Sequence, residues 1–183
     1  MAVRCVTLAT AKKPYLMPGI TLPDAEQLLK ALTDKMRPEV GPETGLIGIH
    51  TGGAWIAERL HHDLKLKVPL GTLDVSFYRD DYEKIGLHRD VKTSSIPFEV
   101  EGRHLILVDD VLYTGRTIRA AMNELFDYGR AASIRLAALV DRGGRELPVA
   151  AQFAGATITA APNQTIELRR DSSGRLELVM TEN

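Results

Sequence analysis

The sequence has little cysteine, few aromatic residues and no long hydrophobic run. Cys5 is the single cysteine among 183 residues, which excludes an internal disulfide and a cysteine-rich zinc site. No stretch approaches the roughly 18 consecutive apolar residues of a membrane-spanning helix. The first residues lack the basic start, apolar run and cleavage site of a signal peptide. We therefore expect a cytoplasmic protein that makes no membrane contact.

Charge and composition are those of an ordinary globular domain. The chain carries 23 Lys and Arg against 24 Asp and Glu, with 44% hydrophobic and 26% charged residues. This balance argues against disorder, and it leaves only a local basic patch as a route to nucleic-acid binding. The length is typical of one domain with its own core, so we predict a single domain over residues 1–183.

The first part of the chain alternates helical and strand patterns. A helix is predicted over residues 22–36, capped by Thr21, because apolar residues recur there at helical spacing. A buried strand follows at 45–49, then a glycine-rich step and a helix around 54–62. Residues 70–78 alternate apolar and polar, which is typical of a half-buried strand. Residues 79–101 are polar and without a period, which indicates a long flexible loop, either a lid or a solvated hairpin.

The second part contains the strongest strand signal. Residues 104–108 form a continuous apolar run, as expected of a central parallel strand covered on both faces. The predicted helix that follows ends before Gly129, and another strand is predicted at 133–140. The inner face of that helix is predicted to consist of Ile118, Ala121, Met122, Leu125 and Phe126. Short strands are expected near 153–154, 165–169 and 176–180. The order predicts an α/β fold with a central parallel sheet flanked by helices.

Chemistry concentrates behind the central strand. Asp109 and Asp110 follow it, and the next loop opens a helix whose backbone N–H groups favour an anion. The loop consists of Val111, Leu112, Tyr113, Thr114, Gly115, Arg116 and Thr117, with two hydroxyl side chains and one guanidinium. A phosphate cradle beside two carboxylates suits ribose 5-phosphate, whose vicinal hydroxyls donate to the carboxylates. The phosphate-binding loop of nucleoside triphosphatases and the dinucleotide fingerprint are both absent from the sequence.

These residues resemble a motif of a known protein family. The segment Leu107–Thr117 resembles the phosphoribosyl pyrophosphate (PRPP) motif of type I phosphoribosyltransferases. The run VDDVLYTGRT, with residues 139–143 and 145–148 downstream, is similar to one branch, the pyrimidine operon regulatory proteins that double as uracil phosphoribosyltransferases. Thr51-Gly52-Gly53 and the segment 78–81 extend the resemblance, which covers about 45–147.

The resemblance implies a type I phosphoribosyltransferase fold with a flexible hairpin loop and a small hood. Thr51, Gly52 and Gly53 would hold pyrophosphate, and Asp109 and Asp110 would bind the ribose hydroxyls. Residues 111–117 would bind the 5-phosphate. Other implied contacts come from Arg79 and Arg89 to the diphosphate and from Arg142 near the base, while His50 is a candidate phosphate contact.

The implied reaction transfers the phosphoribosyl group of PRPP to N1 of uracil, giving uridine 5′-phosphate (UMP) and pyrophosphate. Asp109, Asp110 and Arg79 are the implied catalytic residues, and no covalent nucleophile is needed. Magnesium would arrive with PRPP, so we expect no metal cluster made by the protein alone. Self-association is expected from the resemblance.

Several positions depart from the family pattern and leave alternatives open. Gly52 stands where the family often has arginine, Gly144 where histidine is usual, and Ala150 where a basic residue is common. The first predicted helix carries only Lys30 and Lys35 as basic residues, whereas RNA binding needs clustered positive charge. The alternatives are a non-catalytic, nucleotide-sensing protein that binds messenger RNA, and a phosphoribosyltransferase for another base such as a purine.

Overall fold

A computed structural model describes residues 22–75 and 93–182 and confirms the predicted α/β fold. Five parallel strands form one sheet in the order β2-β1-β3-β4-β5, and two further strands form an antiparallel hairpin. The strands are β1 Gly45–Ile49, β2 Gly71–Leu73, β3 His104–Leu112, β4 Ser133–Asp141, β5 Phe153–Thr157, β6 Gln164–Arg170 and β7 Leu176–Glu182. The helices are α1 Ala25–Met36, α2 Gly52–Asp63 and α3 Arg116–Phe126. The predicted domain extent of 1–183 includes residues outside this description and stays a prediction.

The apolar run of β3 is buried because helices cover both faces of the sheet. Ile106 and Val108 belong to a core shared with α1 and α2. Leu105 and Leu107 belong to a second core, shared with α3. Since successive strand residues point to opposite faces, a strand between two helical layers needs apolar residues at every position. The continuous run is explained by this position in the middle layer.

The order in which strands are added to the sheet reverses at β1. From β1 the chain passes through α2 to β2 on one side, whereas β3 lies on the other side of β1. Helix α2 covers one face of the sheet and α3 covers the other. Such a reversal opens a crevice at the carboxyl ends of the strands, where ligands of parallel sheets bind.

The β6–β7 hairpin packs on the α1 side of the sheet. Ile166 and Leu178 are buried in the same core as α1. At the hairpin turn, Arg175 Nη2 donates to Asp24 Oδ2 at 2.8 Å, and the Leu176 amide donates to Glu26 Oε1 at 2.9 Å. The start of α1 and the turn of the hairpin are therefore joined by polar contacts above an apolar interface.

The predicted start of the first helix was wrong. Helix α1 begins at Ala25 with Asp24 as its cap, and Thr21 lies outside the described residues. Asp24 Oδ1 accepts hydrogen bonds from the amides of Glu26 at 2.8 Å and Gln27 at 3.1 Å. A carboxylate at this position satisfies two of the amides that have no partner within the helix.

Two other boundaries differ from the prediction. Strand β2 ends at Leu73, and residues 76–78 of the predicted strand lie outside the described residues. Helix α3 ends at Phe126, which is 55% exposed although the prediction placed it on the inner face. Phe126 lies about 100° around the helix from the buried Leu125, and Ala120 is buried in that layer instead.

Candidate active site

Two helices begin at the carboxyl edge of the sheet, one on each face. Helix α2 starts at Gly52 directly after β1, and α3 starts at Arg116 directly after β3. The first amides of a helix have no partner within it, and they carry the positive end of the helix dipole. The edge therefore offers two places for anionic groups, separated by the ends of β1 and β3.

The predicted carboxylate pair lies between these helix starts. β3 continues through Asp109 and Asp110 to Leu112, so the aspartates belong to the strand and do not follow it as predicted. The strand extends past them because it stays paired with β4, with Val111 opposite Val140. Asp109 is buried, and its Oδ1 accepts the Asp110 amide at 3.0 Å.

Asp110 lies against the start of α2. A Cβ built on Gly52 would lie 2.6 Å from Asp110 Cγ, and one on Gly53 would lie 3.0 Å from Asp109 Cα. A side chain at either position would require neighbouring atoms to shift. Thr51 precedes the helix as its N-cap without a side-chain capping bond. Two of the three predicted pyrophosphate-loop residues, Gly52 and Gly53, thus lie next to the aspartates.

The predicted phosphate loop is shorter than expected, because its first two residues belong to β3. The side chain of Leu112 is 1% exposed and packs in the core below α3. The loop proper is Tyr113–Gly115, and α3 begins at the next residue. Thr114 is buried, and its Oγ1 accepts the Arg116 amide at 3.2 Å. Backbone amides of this short loop and of the first turn of α3 are therefore the donors that this edge offers to an anion.

Arg116 and Thr117, the first two residues of α3, differ in their surroundings. Arg116 donates through Nε at 2.9 Å and Nη2 at 2.6 Å to Glu146 Oε2, in a pair whose side chains are 52% and 53% exposed. Its guanidinium is thus neutralised by the protein. Thr117 lies half-buried in the first turn.

Arg142 and Tyr113 form a stacked pair beside the loop. The Arg142 Cζ lies 3.8 Å from the centroid of the Tyr113 ring, and Arg142 is 8% exposed. Its Nη2 donates to Ala161 O at 3.4 Å, while its buried Nε has no hydrogen-bond partner among residues 22–75 and 93–182. Gly144 has φ +68°, and a Cβ there would lie 3.1 Å from Tyr113 Cδ2. A side chain at position 144 would therefore meet the Tyr113 ring.

Arg145, for which no role was predicted, donates hydrogen bonds to two carbonyls of the predicted phosphate loop. Its guanidinium donates to Tyr113 O at 2.6 Å, Leu112 O at 3.3 Å and Gly143 O at 3.1 Å. It also donates to Val149 O at 3.0 Å and to the Asp141 carboxylate at 2.6 Å. The available sequence signal was an acidic residue that ends an apolar strand, followed four residues later by arginine.

The remaining predicted residues are less informative. The His50 amide donates to Leu73 O at 2.8 Å at the end of β1. Arg79 and Arg89, and most of the predicted flexible loop, lie outside the described residues. Among the residues that the structure describes, no group of three or more His, Cys, Asp or Glu could hold a metal ion. Asp109 and Asp110 are the carboxylates that a substrate-borne Mg²⁺ would meet, which fits the few protein ligands this ion often takes.

The chain is similar in sequence to a known protein family. The phosphoribosyl transferase domain model matches residues 22–168. A bifunctional protein PyrR from Nitrosococcus oceani is 53% identical over 143 residues, covering 77% of this chain and 81% of that protein. Another from Pseudomonas syringae is 47% identical over 163 residues, covering 87% and 96%.

Solved structures share the fold. A hypoxanthine-guanine phosphoribosyltransferase from Bacillus anthracis superposes with a TM-score of 0.61 at 22% identity, covering 81% of this chain and 88% of that one. A purine phosphoribosyltransferase from Pyrococcus horikoshii gives a TM-score of 0.55 at 26% identity, covering 75% and 87%.

No helix within the described residues is long and apolar enough to span a membrane.

Proposed function

The chain belongs to the PyrR family of phosphoribosyltransferases, and from this premise we propose that it is a uracil phosphoribosyltransferase. It transfers the 5-phosphoribosyl group of PRPP to N1 of uracil and releases UMP and pyrophosphate. The observation that carries the proposal is the pair of helix N-termini that flank Asp109 and Asp110 at the β1–β3 crevice. PRPP has phosphate groups at both ends of a ribose, and this edge offers an anion site on either side of two hydroxyl acceptors.

Each part of the substrate has a distinct set of residues in this proposal. The amides at the start of α2, from Gly52 onward, receive the diphosphate, and the amides of Tyr113–Gly115 with the first turn of α3 receive the 5-phosphate. Asp109 and Asp110 accept hydrogen bonds from the ribose hydroxyls. Arg142, buried beside Tyr113, lies on the base side.

Catalysis then consists of positioning and electrostatic stabilisation. The bond between ribose C1 and the pyrophosphate oxygen breaks as the bond to uracil N1 forms, and the N1 proton is taken up by the departing pyrophosphate. The aspartate carboxylates offset positive charge that develops on the ribose ring. A bound Mg²⁺ supplies charge neutralisation on the diphosphate. Arg79 and Arg89, which lie outside the described residues, are proposed as further diphosphate contacts.

A second function, regulation of pyrimidine gene expression in response to uridine nucleotides, is supported by the identity to relatives named bifunctional. RNA is the proposed regulatory partner, although α1 carries only Lys30 and Lys35 as basic residues. Self-association is also proposed, because Phe126 and Tyr128 are 55% and 44% exposed, and exposed aromatic clusters often mark interfaces.

The deciding experiment measures product from PRPP, Mg²⁺ and labelled uracil, with hypoxanthine, guanine and adenine assayed in parallel. Product with uracil alone supports the proposal. Product with a purine and none with uracil would assign the protein to another base. Nucleotide binding without product from any base would leave a sensor without catalysis, and RNA binding at low salt with and without UMP then tests the regulatory function.

A further inference from the structure

We propose that Arg145 is a positioning residue that holds the phosphate loop in its anion-binding conformation. This inference rests on the proposed function of the loop as the 5-phosphate site. The Arg145 side chain is 22% exposed and forms an ion pair with Asp141 at 2.6 Å. It makes its other hydrogen bonds to backbone carbonyls. Its charge is therefore directed into the protein backbone.

The geometry of the peptide bond connects these carbonyls to the phosphate donors. In a trans peptide, the C=O of one residue and the N–H of the next point in opposite directions. Arg145 Nη1 holds Leu112 O at 3.3 Å and Tyr113 O at 2.6 Å. Fixing these two oxygens fixes the directions of the Tyr113 and Thr114 amides, which point away from the guanidinium.

The next peptide of the loop is held by the residues beside Arg145. Thr114 O accepts the amides of Glu146 at 3.0 Å and Leu147 at 3.1 Å, which directs the Gly115 amide in the same way. Three successive carbonyls, at residues 112–114, are thus bound by the segment 145–147. A set of successive amides with fixed directions makes an anion-binding concavity, and it is formed before the ligand arrives.

The contact requires arginine in particular. One guanidinium presents five N–H donors in a rigid plane, and here they reach four carbonyls and one carboxylate. A lysine ammonium has three donors on a flexible stem and cannot span the same set. Arg145→Lys keeps the ion pair with Asp141 within reach while losing most carbonyl contacts.

The test compares Arg145→Gln and Arg145→Lys with the matched control Arg103→Gln. Arg103 also donates to carbonyls, of Glu99 at 2.8 Å and Glu43 at 3.2 Å, but at the opposite end of β3. Three measurements are made: the KM for PRPP against the KM for uracil, the Kd for UMP by calorimetry, and, without ligand, amide hydrogen exchange of residues 142, 146 and 147, whose amides donate to Leu112 O and Thr114 O. A KM for PRPP and a Kd for UMP raised about tenfold or more are expected for both Arg145 variants, with a much smaller change in the KM for uracil.

Hydrogen exchange at residues 142, 146 and 147 is expected to accelerate in both Arg145 variants and to match the wild type in Arg103→Gln. Exchange and affinity equal to the control would overturn the proposal, and so would an equal rise in both KM values. If Arg145→Gln fails to fold, Arg145→Lys decides alone. Failure of the proposed function is recognised separately, because the wild type would then form no product with any base, whereas exchange at residues 142, 146 and 147 still reports on the loop.

Discussion

The Cα of Gly52 lies directly against the side chain of Asp110, so that the start of α2 and a β3 carboxylate share one small space. A Cβ on Gly52 would lie 2.8 Å from Asp110 Cβ and 2.6 Å from its Cγ. With Asp110 placed as it is here, a larger residue at 52 would fit only if the carboxylate moved. The position that Asp110 occupies here therefore requires glycine at 52.

Gly52→Ala tests this relationship. The added methyl group displaces Asp110 from the start of α2, and a misplacement of about 1 Å in a site that acts by positioning costs roughly a hundredfold in rate. We expect kcat/KM for PRPP to fall by about 10- to 100-fold, measured by steady-state formation of UMP. Gly41→Ala is the matched control, because nothing lies within 4 Å of a Cβ at that position. Equal activity of the two variants would contradict the assignment of Gly52 and Asp110 to the site.

The double variant Asp109→Asn, Asp110→Asn tests the ribose assignment. In the wild type, Asp109 Oδ1 accepts the backbone amide of Asp110 at 3.0 Å. Asparagine at 109 keeps an oxygen that can accept this amide, so the fold is expected to persist. Loss of both negative charges removes the stabilisation of the developing positive ribose, and kcat should fall by roughly 10²- to 10³-fold. Thermal unfolding and UMP formation are measured together. Wild-type turnover in the double variant would show that the ribose assignment is wrong.

Gly143→Ala and Gly144→Ala separate backbone strain from a side-chain contact. Both glycines have similar positive φ values, +72° and +68°, so alanine is strained at either position. Each variant should lose about 1 kcal/mol of unfolding free energy. Only at 144 does the new Cβ meet the Tyr113 ring, whereas nothing lies within 4 Å at 143.

We therefore expect an additional rise in the KM for PRPP in Gly144→Ala alone, because Tyr113 begins the phosphate loop. Denaturant unfolding and PRPP titration of both variants provide the measurement. Identical kinetic constants in the two variants would mean that the ring contact has no influence on the loop.

The Asp24 carboxylate predicts an acid-dependent loss of stability. Hydrogen bonds from the Gln27 and Glu26 amides and the nearby charge of Arg175 lower the pKa of Asp24 from 3.8, against a smaller opposing effect of desolvation. A lowered pKa in the folded state means that the contribution to stability is present above the unfolded pKa. It is lost as the pH falls through the folded value, below about pH 4.

Asp24→Asn keeps the cap oxygen without the charge. Its Tm should fall less than that of the wild type as the pH is lowered from about 6 to about 2, because the wild-type carboxylate takes up its proton below about pH 4. Asp34→Asn removes the same charge from the last turn of α1 and is the control. Parallel pH curves for the wild type and Asp24→Asn would refute the contribution of this carboxylate.

The sequence predicted the central strand and the location of the site because both depend on local patterns. An apolar run such as 104–108 needs only burial on two faces, and the carboxylates and glycines near it are contiguous in sequence. The end of β3 was mispredicted because pairing with β4, which keeps Leu112 opposite Asp141, continues the strand through two charged residues. Tertiary pairing here outweighs the low strand propensity of aspartate.

The role of Arg145 could not be predicted for a related reason. Its bonds to Leu112 and Tyr113 join residues more than thirty positions apart, and they depend on how the chain turns after β4. Asp24 differs, because its capping bonds are local and a cap preference for either Asp or Thr was available at the sequence level. Choosing between Thr21 and Asp24 required the actual start of the helix.

Every neighbouring pair in the five-stranded sheet is parallel, and this has a consequence for synthesis. Parallel neighbours cannot be joined by a tight turn, so each pairing waits for a crossover segment to be made first. β3, with the aspartates, pairs with β1 from far upstream and with β4 from downstream. On the ribosome, a nascent chain that ends after β3 would carry the carboxylates without the segment that shapes the phosphate loop. Nucleotide should therefore protect the chain only after residues 141–149 have emerged, late in translation.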